Sequence, residues 1–87
     1  MNNWISCKDR LPDHDGNYLA TEAIHHRKYV IVCKFARKLS DIDHYDFEGE
    51  DRPGFYRLDS EYGYLEFEHI TAWQELPEPY TEGINEE

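Results

Sequence analysis

Two short segments, one at each end of the chain, set a Trp against a Leu-Pro pair: Trp4 to Pro12 at the start and Ile70 to Pro79 near the close. Proline removes a backbone donor and pushes its predecessor toward extended geometry, so each pair marks a place where a regular element must stop. The two stops bracket one folded unit, and 87 residues leave no room for a second core. In so small a volume the core has to come from rings. The chain has two Trp, seven Tyr and four Phe, and each ring can bury on the order of 150–250 Å². Trp4 and Trp73 are expected to meet in one cluster, with the Leu11-Pro12 and Leu76-Pro77 corners beside it, so that the ends close on each other.

Between the stops the pattern is that of strands. Asp13-His14-Asp15-Gly16-Asn17 is a dense turn signal. From Tyr18 to Ile24 the alternation sends Tyr18, Ala20, Glu22 and Ile24 to one face and Leu19, Thr21 and Ala23 to the other. Tyr29 to Phe35 is filled on both faces by β-branched and aromatic residues, which predicts a central strand. The short link from His25 to Lys28 suits a hairpin, although no Gly is present to favour a primed turn. From Ala36 to Pro53 the periodicity dissolves. Leu39, Ile42, Tyr45 and Phe47 could line a short helix capped by Ser40, but a mobile acidic loop is the preferred expectation. A third strand runs from Gly54 to Ser60 and a fourth starts at Tyr64, with Leu65 and Phe67 inward. Ile70 and Ala72 fall in the opposite phase to Leu65 and Phe67, so a bulge or break is expected near His69 before the last strand, which carries Trp73.

The expected fold is therefore mainly β. It is a single small domain over residues 1–80 with a four- or five-stranded antiparallel sheet or partly open barrel and at most one short helix, followed by an acidic flexible tail at 81–87.

The bookends carry a resemblance. The start has the form Trp-Ile-Ser-x-x-Asp-Arg-Leu-Pro at Trp4, Ile5, Ser6, Asp9, Arg10, Leu11 and Pro12. The end has the form Thr-x-Trp-x-x-Leu-Pro-x-Pro at Thr71, Trp73, Leu76, Pro77 and Pro79. With Gly16 to Leu19 between them, these resemble DUF551, a family of small proteins of unknown function met mostly in bacteriophage and prophage genomes. The chain departs from that pattern at Ala72, where relatives tend to carry His, and at Gln74-Glu75, where Met-Pro is common. The resemblance implies a viral origin and a fold, and it brings no catalytic residue with it.

Charge is the strongest physical signal. Residues 1–38 sum to +3 and residues 39–87 to −13, giving the overall −10. Such a field repels nucleic acid and attracts basic surfaces, so direct nucleic-acid binding is not expected. There is no run of apolar residues approaching the ~20 that a membrane span requires, and the start lacks a secretory signal, which points to the cytoplasm of a bacterial host and away from the membrane. Cys7 and Cys33 are the only cysteines, and in a reducing compartment they are expected to be small buried hydrophobes.

Motifs for chemistry are missing. The five His, at 14, 25, 26, 44 and 69, lack the paired spacing of a structural zinc site, and His25 and His26 would point to opposite faces of an extended chain. The acidic run from Asp41 to Asp51 fails the calcium-loop pattern, because Asp46 stands at its sixth position and Arg52 at its twelfth. No phosphate-cradling Gly-rich loop, Gly-x-Ser-x-Gly turn or His-Glu-x-x-His pair occurs. No catalysis, metal or cofactor is expected.

What remains is the acidic half, which exceeds the net charge of magnitude ~2–8 that solubility asks of a small domain. Its carboxylates are interleaved with rings that supply contact area. The expected function is that of an acidic inhibitor, mimicking the charge density of DNA to occupy the basic groove of a bacterial nucleic-acid-binding protein such as a CRISPR effector or another defence nuclease. The binding residues expected are Asp41, Asp43, Asp46, Glu48, Glu50, Asp51, Glu61, Glu66 and Glu68. The alternative is an adaptor or structural module that meets a protein partner through its basic N-terminal half: Lys8, Arg10, Arg27, Lys28, Lys34, Arg37 and Lys38.

Overall fold

A computed structural model describes residues 3–77, and the acidic tail expected at 81–87 lies outside the described residues. Six antiparallel strands form one open sheet: β1 (Ile5–Ser6), β2 (Gly16–Ile24), β3 (Arg27–Ala36), β4 (Gly54–Asp59), β5 (Gly63–Phe67) and β6 (Ile70–Glu75). Their order across the sheet is β1-β6-β2-β3-β4-β5. The mainly antiparallel β architecture agrees with the sequence pattern, and the two-residue β1 brings the strand number to six.

The longest pairing is the β2–β3 hairpin, in register from Gly16↔Phe35 to Ile24↔Arg27. Its turn consists of His25 and His26 alone, both in the left-handed region at φ 52° and 66°. Two successive positive φ values give a primed turn, whose twist matches that of the flanking strands. Histidine is among the residues that enter this region more readily than most.

The sheet cannot be flat. Only Glu68 and His69 join β5 to β6, and three Cα steps reach at most about 11 Å. Four strand spacings in a flat sheet would separate β5 from β6 by about 19 Å. The sheet therefore coils until the end of β5 comes near β2, with Glu22 lining one hollow with Leu65 and Phe67, and the link itself is tied to β2 where the Ala23 amide donates to the His69 carbonyl at 2.9 Å. The chain breaks at His69 as the phase inversion predicts, and an irregularity lies opposite, between Thr21 and Glu22 of β2.

The coiled face encloses the main core of Tyr18, Ala20, Cys33, Phe35, Phe55 and Trp73, with Ile5, Phe67 and Ile70 packed against it. The chain ends do close on each other, with Ile5↔Trp73 and Ser6↔Ala72 as register pairs of β1 and β6. Trp4, however, does not join Trp73 in that cluster. Ile5 takes the place beside Trp73, and Arg10 caps its ring, with the guanidinium 5.4 Å from the ring centroid. The Trp73 indole N–H donates to the Arg10 carbonyl at 2.9 Å. Of the two corners, Pro12 is buried while Leu11 and Leu76 stay partly exposed.

A second cluster covers part of the opposite face, built from Ala36, Leu39, Phe47 and Tyr56 with Ile42 and Tyr64. It turns the segment from Arg37 to Pro53 into a packed cap, contrary to the expected mobile loop. Leu39 is fully buried and Phe47 nearly so, and only Tyr45 of the four apolar residues points to solvent. The helical part shrinks to one 3₁₀ turn, Leu39–Asp41, and Ser40 does not cap it. Instead the Ser40 hydroxyl donates to Asp51 Oδ1 at 2.5 Å.

β3 is a central strand of the sheet, as expected. Its outer face is less covered than the residue pattern implied, and β4 pairs only with Lys34, Phe35 and Ala36. Beyond that point β4 peels away with the coil, leaving Val30 65 % and Val32 63 % exposed.

Candidate functional site

The nine carboxylates expected to form one face divide by what they hold. Asp43 Oδ1 accepts the amides of Tyr45 and Asp46 at 2.7 and 3.2 Å, closing a turn. Asp46 Oδ2 accepts the Tyr64 amide at 3.0 Å, which ties the cap to β5. It does so over Gly63, at φ 80°, where an added Cβ would stand 2.6 Å from that same oxygen. Asp51 receives the Ser40 hydroxyl, and Ser40 in turn donates its amide to the Glu50 carbonyl. Asp43 thus holds a turn within the cap, Asp46 ties the cap to β5, and Asp51 holds the Ser40 side chain.

Glu50 and Glu66 belong to Arg52. The guanidinium donates to both oxygens of Glu66 at 2.7 Å and to Glu50 Oε1 at 2.9 Å. A two-pronged contact of this kind fixes geometry as well as charge. Hydrogen bonding and charge from Glu66, then Glu50, push the Arg52 pKa further up, so it stays a cation and neutralises part of the acidic field.

Asp41, Glu48, Glu61 and Glu68 are exposed, and among the described residues no hydrogen bond or ion pair engages their side chains. Asp41, Glu48 and Asp51 line an open depression of about 530 Å³ with Lys38, His44 and Tyr45. Glu66 and Glu68 line a different hollow, about 480 Å³, with Glu22, Arg57 and His69. Glu61 lies in the β4–β5 turn, which Asp59 holds by accepting the amides of Glu61 and Tyr62 at 2.7 and 3.0 Å. Those two amides, with Arg57, lower the Asp59 pKa. The structure thus brings the cap carboxylates together and sets Glu68 apart from them.

Other candidate chemistry is sparse. Burial pushes the Cys33 thiol up to about 12 and raises that of Cys7, so both favour the unreactive neutral form. Among the described residues no group of three or more His, Cys, Asp or Glu side chains is placed to hold a metal ion. No helix among them is long and apolar enough to cross a membrane.

Exposed apolar residues on the outer sheet face form a surface the charge pattern hides. Val30 and Val32 lie there, flanked by Lys28 and Lys34, with Leu58 of β4 58 % exposed across the fork. The signal was present in the alternation Lys28-x-Val30-x-Val32-x-Lys34, in which a strand buried on both faces would not carry two lysines.

The bookend residues now have a structural account, since Trp73, Arg10 and Ile5 together close the sheet. A family model described as "Protein of unknown function (DUF551)" matches residues 3–81. The chain belongs to the DUF551 family. The match spans the whole sheet and the acidic cap, so the cap lies within the family domain. No curated protein and no solved structure matches the chain.

Proposed function

We propose that this DUF551 protein is a non-catalytic, phage-derived inhibitor that presents its acidic cap to the basic groove of a bacterial nucleic-acid-binding protein, such as a CRISPR effector or another defence nuclease. One observation supports this most: the cap is preorganised by its own carboxylates, with Asp43 closing a turn, Asp46 tying the cap to β5 and Asp51 holding Ser40, while Asp41 and Glu48 stand exposed at one depression. A surface ordered before contact loses less entropy on binding than a mobile loop would. The Arg52 contacts narrow the expected set, so Asp41, Glu48 and Glu61 carry the interaction and Glu50 and Glu66 support it.

The test uses immobilised full-length protein and a nuclease-treated bacterial lysate. The expected result is capture of a nucleic-acid-binding protein that double-stranded DNA displaces and that salt releases steeply. The triple variant Asp41→Lys, Glu48→Lys, Glu61→Lys should keep the fold by circular dichroism and lose the capture. Equal capture by the triple variant, or a captured protein indifferent to DNA, would overturn the proposal.

A further inference from the structure

The inner face of the hairpin is committed to the core, but on the side of β3 that faces β4, residues 28–32 have no partner strand among the described residues. Because the turn contains two residues, Ile24 and Arg27 form the first hydrogen-bonded pair of the ladder. Every second residue of β3 from there, Tyr29, Ile31 and Cys33, also turns its amide and carbonyl toward β2. The intervening residues Lys28, Val30 and Val32 turn theirs the other way, toward β4, and β4 begins to pair only at Lys34. The same three residues carry their side chains on the outer face, where Val30 and Val32 are largely exposed. Backbone donors, backbone acceptors and apolar side chains are therefore open along one edge. At its inner end a cleft of about 240 Å³ lies in the fork between Val32, Lys34, Tyr56 and Leu58.

Charge selects the occupant. β3 contains Arg27, Lys28 and Lys34 and no acidic residue. Antiparallel pairing of two copies along this edge would set cation against cation, and lysines on an edge strand are a known guard against such self-association. The same lysines favour a strand of opposite sign. We infer that this stretch of β3 is a docking edge for an extended segment of a partner protein that presents, at every second residue, an acidic, an apolar, an apolar and an acidic side chain on one face. The segment adds as a further strand beside Lys28, Val30 and Val32, with its carboxylates near Lys28 and Lys34 and its apolar side chains over Val30, Val32 and Leu58. This inference rests on the opposite charge from the acidic cap and stands apart from the inhibitor proposal.

Isotope-labelled full-length protein and a short capped peptide of the pattern Glu-Thr-Val-Thr-Val-Thr-Glu, which sets Glu and Val on one face, provide the test, with a Lys-for-Glu peptide as the control. At about 50 mM salt the acidic peptide is expected to slow amide exchange at Lys28, Val30 and Val32 by at least about tenfold, with shift changes confined to β3 and to residues 56–58. The pair Lys28→Glu, Lys34→Glu should weaken binding about tenfold, and the cap variant Asp41→Lys, Glu48→Lys, Glu61→Lys should leave it unchanged. Val30→Pro removes one edge donor without touching the ladder to β2 and should also weaken binding. Should that variant fold poorly, Val30→Asp, which keeps the amide and repels the peptide, takes its place with the same expected loss. Unchanged exchange at the three amides, equal binding of the Lys peptide, or a dimer in which those amides are already protected would each overturn the inference.

Discussion

His25 and His26 show how single residues set the shape of this molecule. Both stand in the left-handed region, which costs a non-glycine residue of order 1 kcal/mol, and together they make the turn that lets β2 and β3 run in register for nine pairs. Replacing them with the preferred primed-turn pair, His25→Asn with His26→Gly, should stabilise the fold by about 1 kcal/mol, seen as a higher urea midpoint at unchanged slope. Trp73 is the opposite case, with its ring edge-on to Tyr18 at 5.4 Å and its N–H donated to Arg10. Trp73→Ala should cost about 3–5 kcal/mol in the same denaturation measurement. Cys33 adds a pH signature. The core accepts only its neutral thiol, with the pKa raised to about 12. Its contribution is fully present below the ordinary thiol value of about 8.5 and is lost as pH climbs from there toward 12. Burial raises the pKa of Tyr18 and Tyr56 too, so they add to the loss only at the upper end of that window. Between about pH 9 and 10 the stability of the wild type should fall with pH, and that slope should flatten in Cys33→Ala.

Among the elements, the cap and the edge of β3 depart furthest from what the pattern of residues predicts. The strands at 16–24 and 54–59 were legible because their residues alternate, with Tyr18 and Ala20, and Phe55, on the core face, and the strand at 70–75 from Trp73 and the phase break before it. The cap was not, because its apolar residues Leu39, Ile42 and Phe47 follow neither a helical nor a strand period. They are held by tertiary contacts: Phe47 against Tyr56 and Tyr64, and Asp46 onto the Tyr64 amide. Gly63 is the point where this docking is most exposed to a single change. Gly63→Ala places a methyl on the Asp46 carboxylate and strains a positive φ, and it should destabilise by about 1–3 kcal/mol. Faster amide exchange at Tyr64 and through residues 43–50, with β2 and β6 unaffected, would mark release of the cap; uniform change across the sheet would contradict that account.

For the whole molecule the controlling quantity is the net charge of −10, with the basic groups gathered in the first part of the chain. Self-repulsion of the acidic part opposes compaction, and Arg52 between Glu50 and Glu66 offsets only some of it. Raising salt from about 10 to 150 mM should therefore raise the melting temperature of the isolated protein, while the same salt weakens binding at the acidic cap. A melting temperature that falls with salt would show that internal ion pairs outweigh the repulsion.

The sequence by itself determined the strand-forming segments, the closing of the ends through the Trp73 region, the burial of Cys33 and the uneven charge, because each depends on local periodicity, composition or boundary residues. Only the tertiary structure decided which carboxylates are structural and which are exposed, that Ile5 and Arg10 and not Trp4 meet Trp73, and that β3 keeps an open edge. The first follows from the docking of the cap on β4 and β5, the second from the pairing of β1 with β6, and the third from the coil that accompanies the two-residue link between β5 and β6. That link brings distant segments together and peels β4 from β3, a long-range constraint that no window of the sequence contains.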